Sequence, residues 1–288
     1  MDTCFSKSLS ISPKDLSLLI GRPNAPLLLD VRRHAAFTKS PSLIASARWV
    51  DPDDITSFIQ NNAPCDAVVY CVYGHEVSGQ ATSALHAAGW NARKLEGGFS
   101  GGELGVDDAS DIAKWQSTQL PKVNKRPDWG INGTAHTRWI TRESPKIDRI
   151  ACPWLVRRFI DPSAEFFYVP TKEVLAQANL LNATAFDIEN APISHIDERC
   201  SFDALLDGVG LVDPALHLLA TIVRGADTGH LALSEQSAGL LAISLGMSQC
   251  QLSDKALLEA MMPIYDALYA WCYLRVTSQD TSHTWSAS

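Results

Sequence analysis

Short apolar runs alternate with helical patterns along the first hundred residues, and this alternation constrains the fold more than any other feature. The runs "APLLLDVR" and "DAVVYCVY" are short, apolar and bounded by turn-forming residues, as buried strands are. The segments "SPKDLSLLI", "DPDDITSFIQ" and "SGQATSALHAAG" have the spacing of short helices. Strands and helices that alternate in this way predict an α/β domain, with a parallel sheet covered by helices on both faces.

The alternation stops in the segment "GVDDASDIAKWQSTQLPKVNKRPDWGINGTA", which is rich in Asp, Gly, Pro, Lys and Asn. We therefore predict a linker over residues 106–135, between a first domain at 10–105 and a second at 136–276. Beyond Ala204 the patterns "PALHLLATIVRGA" and "SEQSAGLLAISLG" have helical spacing. The second domain is accordingly expected to be mainly α.

Charge and cysteine content exclude several classes of protein. The net charge of −8 disfavours a broad electrostatic interaction with nucleic acid or acidic lipid. The seven cysteines are odd in number and widely spaced, and no C-x-x-C occurs, so neither a zinc ribbon nor a dithiol redox motif is present. This cysteine usage favours a reducing compartment, and we expect a cytoplasmic protein.

Two segments bear on membrane targeting. The N-terminus "MDTCFSKSLSISPKDL" lacks the long apolar core of a secretion signal. The apolar segment "LLEAMMPIYDALYAWCYLRV" contains Glu259, Pro263, Asp266 and Arg275. These residues favour a packed terminal helix over a membrane span.

Cys71 is the first candidate functional residue, because it follows an apolar strand and opens the loop "VYGHEV". A loop that enters a helix directs several N–H groups into one concavity, and the helix end adds a partial positive charge. Both stabilise an anion, so a thiol at this place is expected to ionise readily and to be reactive. A buried core cysteine is the alternative, since lone cysteines on apolar strands commonly have that role.

The surrounding motifs occur in a characteristic order. Asp30-Val31-Arg32 ends the earlier strand, "LIASARWVDPDDI" follows, and the Cys71 loop precedes "LEGGFSGG". This order resembles the rhodanese (sulfurtransferase) family over roughly residues 10–105. The resemblance implies that Cys71 accepts sulfane sulfur as a persulfide and passes it to an acceptor thiol, which is covalent catalysis. It implies no cofactor for this step, and its partners are a small-molecule sulfur donor and a thiol acceptor.

The same resemblance implies a set of substrate-binding residues in the loop and at the end of the earlier strand. They are Val72, Tyr73, Gly74, His75, Glu76, Val77, Arg32 and Asp30. Donor-binding family members often place Arg or Lys in the loop, whereas this loop contains Glu76. A carboxylate there would repel thiosulfate by about 1 kcal/mol or more, which disfavours thiosulfate as the donor. Both Glu76 and His75 also have a non-functional interpretation. Glu76 would be a solvent-facing charge at the start of a helix, and His75 would be an exposed ring.

No arginine ends the loop, and the loop is one residue shorter than a phosphate cradle. Phosphatase or arsenate reductase chemistry of the Cys-x5-Arg kind is therefore not expected.

His195, Glu198 and Asp227 are candidate metal ligands in the second half. His195 and Glu198 lie three residues apart and would share one face of a helical turn. An imidazole and two carboxylates make a site for iron, manganese or zinc. A salt-bridged polar turn would explain the same residues, and Cys200 could join the site or simply be buried.

Three longer strings carry a second resemblance: "TRESPKIDRIACPWLVRRFIDP", "HIDERCSFDAL" and "IVRGADT". They resemble the C-terminal domain of the chromate-resistance protein family over residues 136–276. The resemblance implies a role in the response to chromate or related oxidative stress, and it supports a metal site. Regulators of this type carry an N-terminal DNA-binding region, but a rhodanese-like domain occupies that place here, so nucleic-acid binding is not expected.

Two functional hypotheses follow. The chain is a sulfurtransferase fused to a metal-binding domain, or it is a redox, metal or oxyanion sensor without turnover. A third possibility is that the C-terminal domain is itself a redox metalloenzyme.

Overall fold

A computed structural model of the chain describes residues 9–278, so Cys4 lies outside the described residues. The chain divides into two compact units. The first contains the described residues up to Lys125, with Asn132–Ala135 and Arg158–Asp161, and the second contains Arg126–Ile131, His136–Arg157 and the described residues from Pro162 on.

The first unit alternates strands and helices. Its elements are β1 (Ser10–Ile11), α1 (Pro13–Ser17), β2 (Leu27–Asp30), α2 (His34–Lys39), β3 (Ser42–Ile44), β4 (Arg48–Trp49), α3 (Ile55–Asn61), β5 (Asp66–Tyr70), α4 (Glu76–Ala87), β6 (Asn91–Leu95), α5 (Ala109–Gln116) and β7 (Lys122–Asn124). Five strands form one parallel sheet in the order β1-β6-β5-β2-β4. The α/β fold predicted from the alternating pattern is therefore confirmed.

Strand β5 occupies the centre of this sheet, between β2 and β6. Its residues from Ala67 to Tyr70 are fully buried, which explains the unbroken apolar run in the sequence. The strand ends at Tyr70, and α4 begins at Glu76, two residues before the helix start expected near Ser78. Cys71 is thus the first residue beyond the carboxyl end of the central strand.

The predicted linker, residues 106–135, contains regular structure. It includes helix α5, whose N-terminus is capped by the Asp108 side chain, and strand β7. Strand β7 pairs antiparallel with β3, so its main hydrogen-bonding partner lies far away in the sequence. A three-residue strand of composition Lys-Val-Asn has no periodic signal of its own, which is why the composition indicated only a linker.

The second unit is mostly helical, as predicted, and also contains a small parallel sheet in the order β10-β8-β9. Its elements are β8 (Arg138–Arg142), α6 (Asp148–Leu155), β9 (Glu165–Val169), α7 (Val174–Leu181), β10 (Thr184–Ala185), α8 (Ser201–Gly208), α9 (Pro214–Asp227), α10 (Glu235–Met247) and α11 (Asp254–Thr277). Helix α6 is followed in the chain by a π-helical turn at Val156–Ile160, whose residues from Arg158 on are assigned to the first unit. Terminal helix α11 buries one face, including Met261, Tyr265 and Cys272, as its helical pattern predicted.

None of the helices within residues 9–278 combines the length and the apolar character that a membrane crossing requires.

A buried ion pair fixes the carboxyl end of β2. Asp30 and Arg32 are 0% and 2% exposed, and their closest charged atoms, Arg32 Nη2 and Asp30 Oδ2, are 2.6 Å apart. The guanidinium also donates to the Ser42 carbonyl at 3.1 Å, and the Tyr70 hydroxyl donates to Asp30 Oδ2 at 3.1 Å. The pair therefore links the end of β2 to its sheet neighbour β5 and to β3, which belongs to a separate two-stranded sheet.

Replacing Arg32 by Met should cost about 3–5 kcal/mol of unfolding free energy, because it leaves the Asp30 carboxylate buried without its partner. Calorimetric unfolding of the purified chain measures the loss. The double variant Arg32→Met/Asp30→Leu should recover much of it. Arg138→Met, which breaks an exposed pair with Glu165, should cost less than about 1 kcal/mol. Equal losses in the two single variants would contradict this role of the buried pair.

Candidate functional site

The Cys71 side chain is 6% exposed and belongs to an apolar cluster that includes Val69, Ala81 and Leu85. Its Sγ lies 3.2 Å from the Ser78 hydroxyl oxygen. The Ser78 hydroxyl donates to the carbonyl of His75 at 3.2 Å, so the neutral Cys71 thiol is the donor in the contact with Ser78. After rotation, the same hydroxyl could donate to a thiolate or a persulfide.

The loop after Cys71 is held through its carbonyl groups. Phe99 N–H donates to the Cys71 carbonyl, and Ser100 N–H donates to the Val72 carbonyl, both at 2.9 Å. The backbone N–H groups from Val72 to Val77, by contrast, donate no hydrogen bond to another residue within 9–278. The rest of the described chain therefore leaves these six N–H groups unengaged, while the Cys71 side chain packs in the apolar cluster, as the alternative of a buried core cysteine predicted.

Two glycines, Gly74 in the Cys71 loop and Gly98 in the turn after β6, allow the backbones of the loop and the turn to come into close contact. A Cβ on Gly98 would lie 2.4 Å from Gly74 N and 2.6 Å from the Cys71 carbonyl oxygen. A Cβ on Gly74 would lie 2.7 Å from the Leu95 carbonyl oxygen. Both glycines also have positive φ, at +80° for Gly74 and +58° for Gly98. Space and conformation therefore explain the loop glycine Gly74 and the second glycine of the Glu-Gly-Gly motif, Gly98.

The loop side chains predicted to bind substrate have different surroundings. His75 Nε2 lies 2.9 Å from Asp107 Oδ2, and His75 Nδ1 lies 3.3 Å from a Glu103 carboxylate oxygen. The hydrogen bond from Glu103 N–H, followed by the contact with His75, lowers the pKa of Asp107. Tyr73 is exposed, and Glu76, at the start of α4, accepts a hydrogen bond from Gln80. Two carboxylates from outside the loop thus contact His75, and the loop itself contains no Arg or Lys.

Asp30 and Arg32, the other predicted substrate-binding residues, pair with each other inside the fold. The Arg32 guanidinium also lies 4.0 Å from the centre of the Phe99 ring. At 2% exposure it offers no free charge to a ligand in this structure.

A second set of polar side chains converges on His195 in the second unit. His195 Nε2 lies 3.1 Å from Asp227 Oδ2, 3.4 Å from Asp187 Oδ1 and 3.7 Å from Asp148 Oδ2. These residues come from the end of α9, the segment after β10 and the start of α6. His195 and Asp227 were predicted, and the structure brings them together.

The acidic members of this group are buried to different extents. Asp148 is fully buried, Asp187 is 7% exposed, and the Asp227 side chain is 18% exposed. Burial, followed by repulsion from Asp227 and Asp187, raises the pKa of Asp148 well above its usual range. Burial and repulsion from Asp187 likewise raise the pKa of Asp227. The hydrogen bond with Asp187, opposed by burial, raises the pKa of His195 to about 9. The three carboxylates therefore repel one another, and a positive charge beside them would stabilise their ionised forms.

Glu198 does not join this group. Residues 196–199 form a tight turn in which the N–H of Ile196 and that of Arg199 each donate to the other residue's carbonyl, so the helical spacing assumed for His195 and Glu198 is absent. Glu198 instead lines a cavity of about 620 Å³ with Arg199 and Arg224. Cys200 is fully buried at the start of α8, where its thiol contacts Asp203.

Sequence reasoning missed Asp148, Asp187 and Ser78. Asp148 lies among charged residues in "SPKIDRIACPW", a pattern also typical of solvent-exposed charges, and the structure buries it completely. Within the described part of the chain, Asp148, His195 and Asp227 form a group whose ligand atoms lie within 4.8 Å of one another, a spacing compatible with one metal ion.

Comparison with known proteins identifies the class of each half. The model of the rhodanese-like domain matches residues 12–103, and the model of the ChrB C-terminal domain matches residues 139–272. The chain therefore carries a rhodanese-like domain followed by a ChrB C-terminal domain.

A curated relative agrees with the second match. The protein ChrB of Cupriavidus metallidurans is 35% identical over 133 residues, which are 46% of this chain and 40% of that protein. The chain thus spans well under half the length of this relative.

Solved structures of rhodanese-like proteins also match. A rhodanese-related protein from Thermoplasma volcanium is 23% identical and covers 40% of this chain and 96% of its own, with a TM-score of 0.30. A rhodanese homolog from Thermus thermophilus is 29% identical and covers 31% of this chain and 95% of its own, with a TM-score of 0.25. The fold assignment itself rests on the sheet topology and the family model.

Gly98→Ala should destabilise the first unit by about 3 kcal/mol or more, because it adds a clash with the Cys71 loop to the cost of positive φ. Gly89→Ala is the matched control. Gly89 has φ +84°, and none of the described atoms lies within 4 Å of an added Cβ, so its change should cost only about 1–2 kcal/mol. Calorimetric unfolding compares the two variants. Equal costs would show that the close backbone approach has no importance.

Proposed function

We propose that the first unit is a sulfurtransferase that carries its sulfur as a persulfide on Cys71. The observation that carries the proposal is the thiol at the carboxyl end of the central strand, followed by six consecutive residues whose N–H groups are unengaged. Ligands collect at this edge of open parallel sheets. The match to the rhodanese-like domain model supports the same conclusion.

The reaction has two displacements at sulfur. The Cys71 thiolate attacks the outer sulfur of a donor persulfide R–S–SH, the S–S bond of the donor breaks, and the thiolate RS⁻ leaves. An acceptor thiolate R′S⁻ then attacks the outer sulfur of Cys71–S–SH and gives R′–S–SH with the free Cys71 thiolate. Each step forms one S–S bond and breaks one, so no external oxidant or reductant is required.

The residues around Cys71 suit this chemistry. The loop N–H groups would stabilise the thiolate and the persulfide, and the Ser78 hydroxyl lies 3.2 Å from the attacking sulfur. Once the Cys71 thiol has lost its proton to solvent, the Ser78 hydroxyl can rotate and donate to the thiolate.

The charges near the loop favour an uncharged or singly charged donor. Glu76 is part of the loop, and Glu103 and Asp107 contact His75. A dianion such as thiosulfate would approach these carboxylates without an Arg or Lys in the loop to offset them. A persulfide or polysulfide is therefore the proposed donor.

Cys71→Ser should abolish sulfur transfer from polysulfide to a thiol acceptor, because the hydroxyl cannot form a persulfide. Cyanide trapping of the transferred sulfur measures turnover. Cys65→Ser is the matched control, since Cys65 is an exposed cysteine of the same unit, and it should retain the wild-type rate. The absence of turnover in the wild type with polysulfide, mercaptopyruvate and thiosulfate would contradict the proposal and leave the sensor hypothesis.

We further propose that the chain acts in the cellular response to chromate. The support is the match of residues 139–272 to the ChrB C-terminal domain and the 35% identity to ChrB of Cupriavidus metallidurans. Persulfide chemistry fits such a role, because chromate is an oxidant and sulfane sulfur is a reductant.

Expression of the chain in a chromate-sensitive bacterial strain should raise survival on chromate, and Cys71→Ser should remove at least part of the gain. Growth across a chromate series measures the effect, with Cys65→Ser as the control. No gain with the wild-type chain, produced at a verified level, would contradict the link to chromate without affecting the sulfurtransferase proposal.

A further inference from the structure

We propose that the second unit binds one divalent transition-metal ion, in the class of Mn²⁺, Fe²⁺ and Zn²⁺, through Asp148, His195 and Asp227. The inference is independent of Cys71, which lies in the other unit. It rests on an unpartnered buried oxygen, an excess of buried negative charge and the spacing of the donor atoms.

Asp148 supplies the first observation. Its Oδ2 accepts hydrogen bonds from the N–H groups of Ser201 and Phe202, at the start of α8. Its Oδ1 is buried and has no hydrogen-bond partner among residues 9–278. A buried carboxylate oxygen without a partner costs several kcal/mol unless a cation or a donor lies beside it. One oxygen of Asp148 is thus anchored by the protein, and the other is available to a ligand.

The charge of the group supplies the second observation. Three carboxylates, those of Asp148, Asp187 and Asp227, lie within 3.7 Å of His195 Nε2. Arg149 Nε lies 3.3 Å from Asp187 Oδ2, but neither Arg149 nor the half-exposed Arg142 makes an ion pair with Asp148 or Asp227. A divalent cation would offset the two carboxylates that the arginines leave without a strong partner.

The distances supply the third observation. Ligand atoms bound to one ion at about 2.0–2.2 Å, with angles near 90–110°, lie about 2.8–3.6 Å apart. His195 Nε2 is 3.1 Å from Asp227 Oδ2, and a carboxylate oxygen of Asp148 lies within 4.8 Å of a ligand atom of each of the two. The three residues are therefore close to the spacing that one ion requires, and small side-chain rotations would complete it.

The donor set decides the class of metal. Two carboxylates and one imidazole contain no thiolate, which disfavours Cu⁺ and favours Mn²⁺, Fe²⁺ or Zn²⁺. Cys200 and Cys152 are fully or almost fully buried, the Cys200 thiol contacts Asp203, and neither cysteine belongs to the group formed by Asp148, His195 and Asp227.

Neighbouring residues have the arrangement of an outer shell. The Ser201 hydroxyl donates to Asp187 Oδ1 at 2.8 Å, and Arg149 contacts the other Asp187 oxygen. Asp187 is thereby held 3.4 Å from His195 Nε2, the nitrogen assigned to the ion, so its carboxylate lies where it can approach the ion as a further ligand. The His195 side chain is 42% exposed, so the ion has a path from solvent and further coordination positions remain for water or a substrate.

The experiment measures Mn²⁺ and Zn²⁺ binding to the full chain after removal of metals with a chelator. We expect about one equivalent of ion by elemental analysis of the reloaded, dialysed protein. His195→Ala and Asp227→Asn should each weaken binding at least tenfold in calorimetric titration. The Mn²⁺ protein should show one nitrogen ligand by electron spin-echo spectroscopy, and that signal should be absent from His195→Ala.

Matched controls separate the site from adventitious binding. His217→Ala removes an exposed histidine of α9, and Glu198→Gln removes an exposed carboxylate near His195. Both should bind like the wild type, as should Cys71→Ser. Asp227→Asn is the deciding variant if Asp148→Asn fails to fold, because the Asp227 side chain is partly exposed.

Three results would overturn the proposal. They are no stoichiometric Mn²⁺ or Zn²⁺ in the wild type, wild-type affinity in folded Asp227→Asn and His195→Ala, or equal losses in His217→Ala. Either of the first two results would mean that no metal ion is bound at this site and that protonated His195 alone offsets the charge of the surrounding carboxylates. Loss of metal with sulfur transfer intact, or the reverse, distinguishes failure of this proposal from failure of the sulfurtransferase proposal.

Discussion

The close backbone contact between the Cys71 loop and the turn at Gly97–Gly98 is the constraint on which the first site depends. Because Gly98 has no Cβ, the turn can approach the loop closely enough for hydrogen bonds to the loop carbonyls. Phe99 and Ser100 then donate to those carbonyls and hold the loop from one side only. The N–H groups of the same loop make no hydrogen bond to another described residue, so they remain available to a ligand.

The two candidate sites solve one physical problem in different ways. In the first unit, the sulfur atom of Cys71 is almost fully buried and contacts a neutral group, the Ser78 hydroxyl. In the second unit, three carboxylates converge with a histidine, and neutral donors at the start of α8 satisfy only one oxygen of Asp148. The first arrangement suits a singly charged sulfur, whereas the second requires a cation.

Sequence patterns predicted the parts of the fold that have a periodic or local cause. The sequence predicted the central strand β5 because burial on both faces requires an unbroken apolar run. It predicted the start of α1 because Ser12 is a typical capping residue and caps this helix. Strand β7 was not, since its identity as a strand comes from pairing with β3.

The candidate sites divide in the same way. Cys71 was identifiable from its place between a strand and a helix, and His195 and Asp227 from their residue types. The partnership of Ser78 with Cys71 depends on the first turn of α4, and the burial of Asp148 depends on α8 folding over it. Glu198 was chosen on helical spacing, which the tight turn at 196–199 does not provide.

The most direct measurement is intact-mass and peptide mass spectrometry of the full chain after exposure to polysulfide and removal of the excess. The account predicts the mass of one additional sulfur atom on the peptide that contains Cys71, and its loss when a thiol acceptor is added. An unmodified Cys71 in folded protein, or added sulfur confined to the exposed cysteines Cys65 and Cys250, would contradict it.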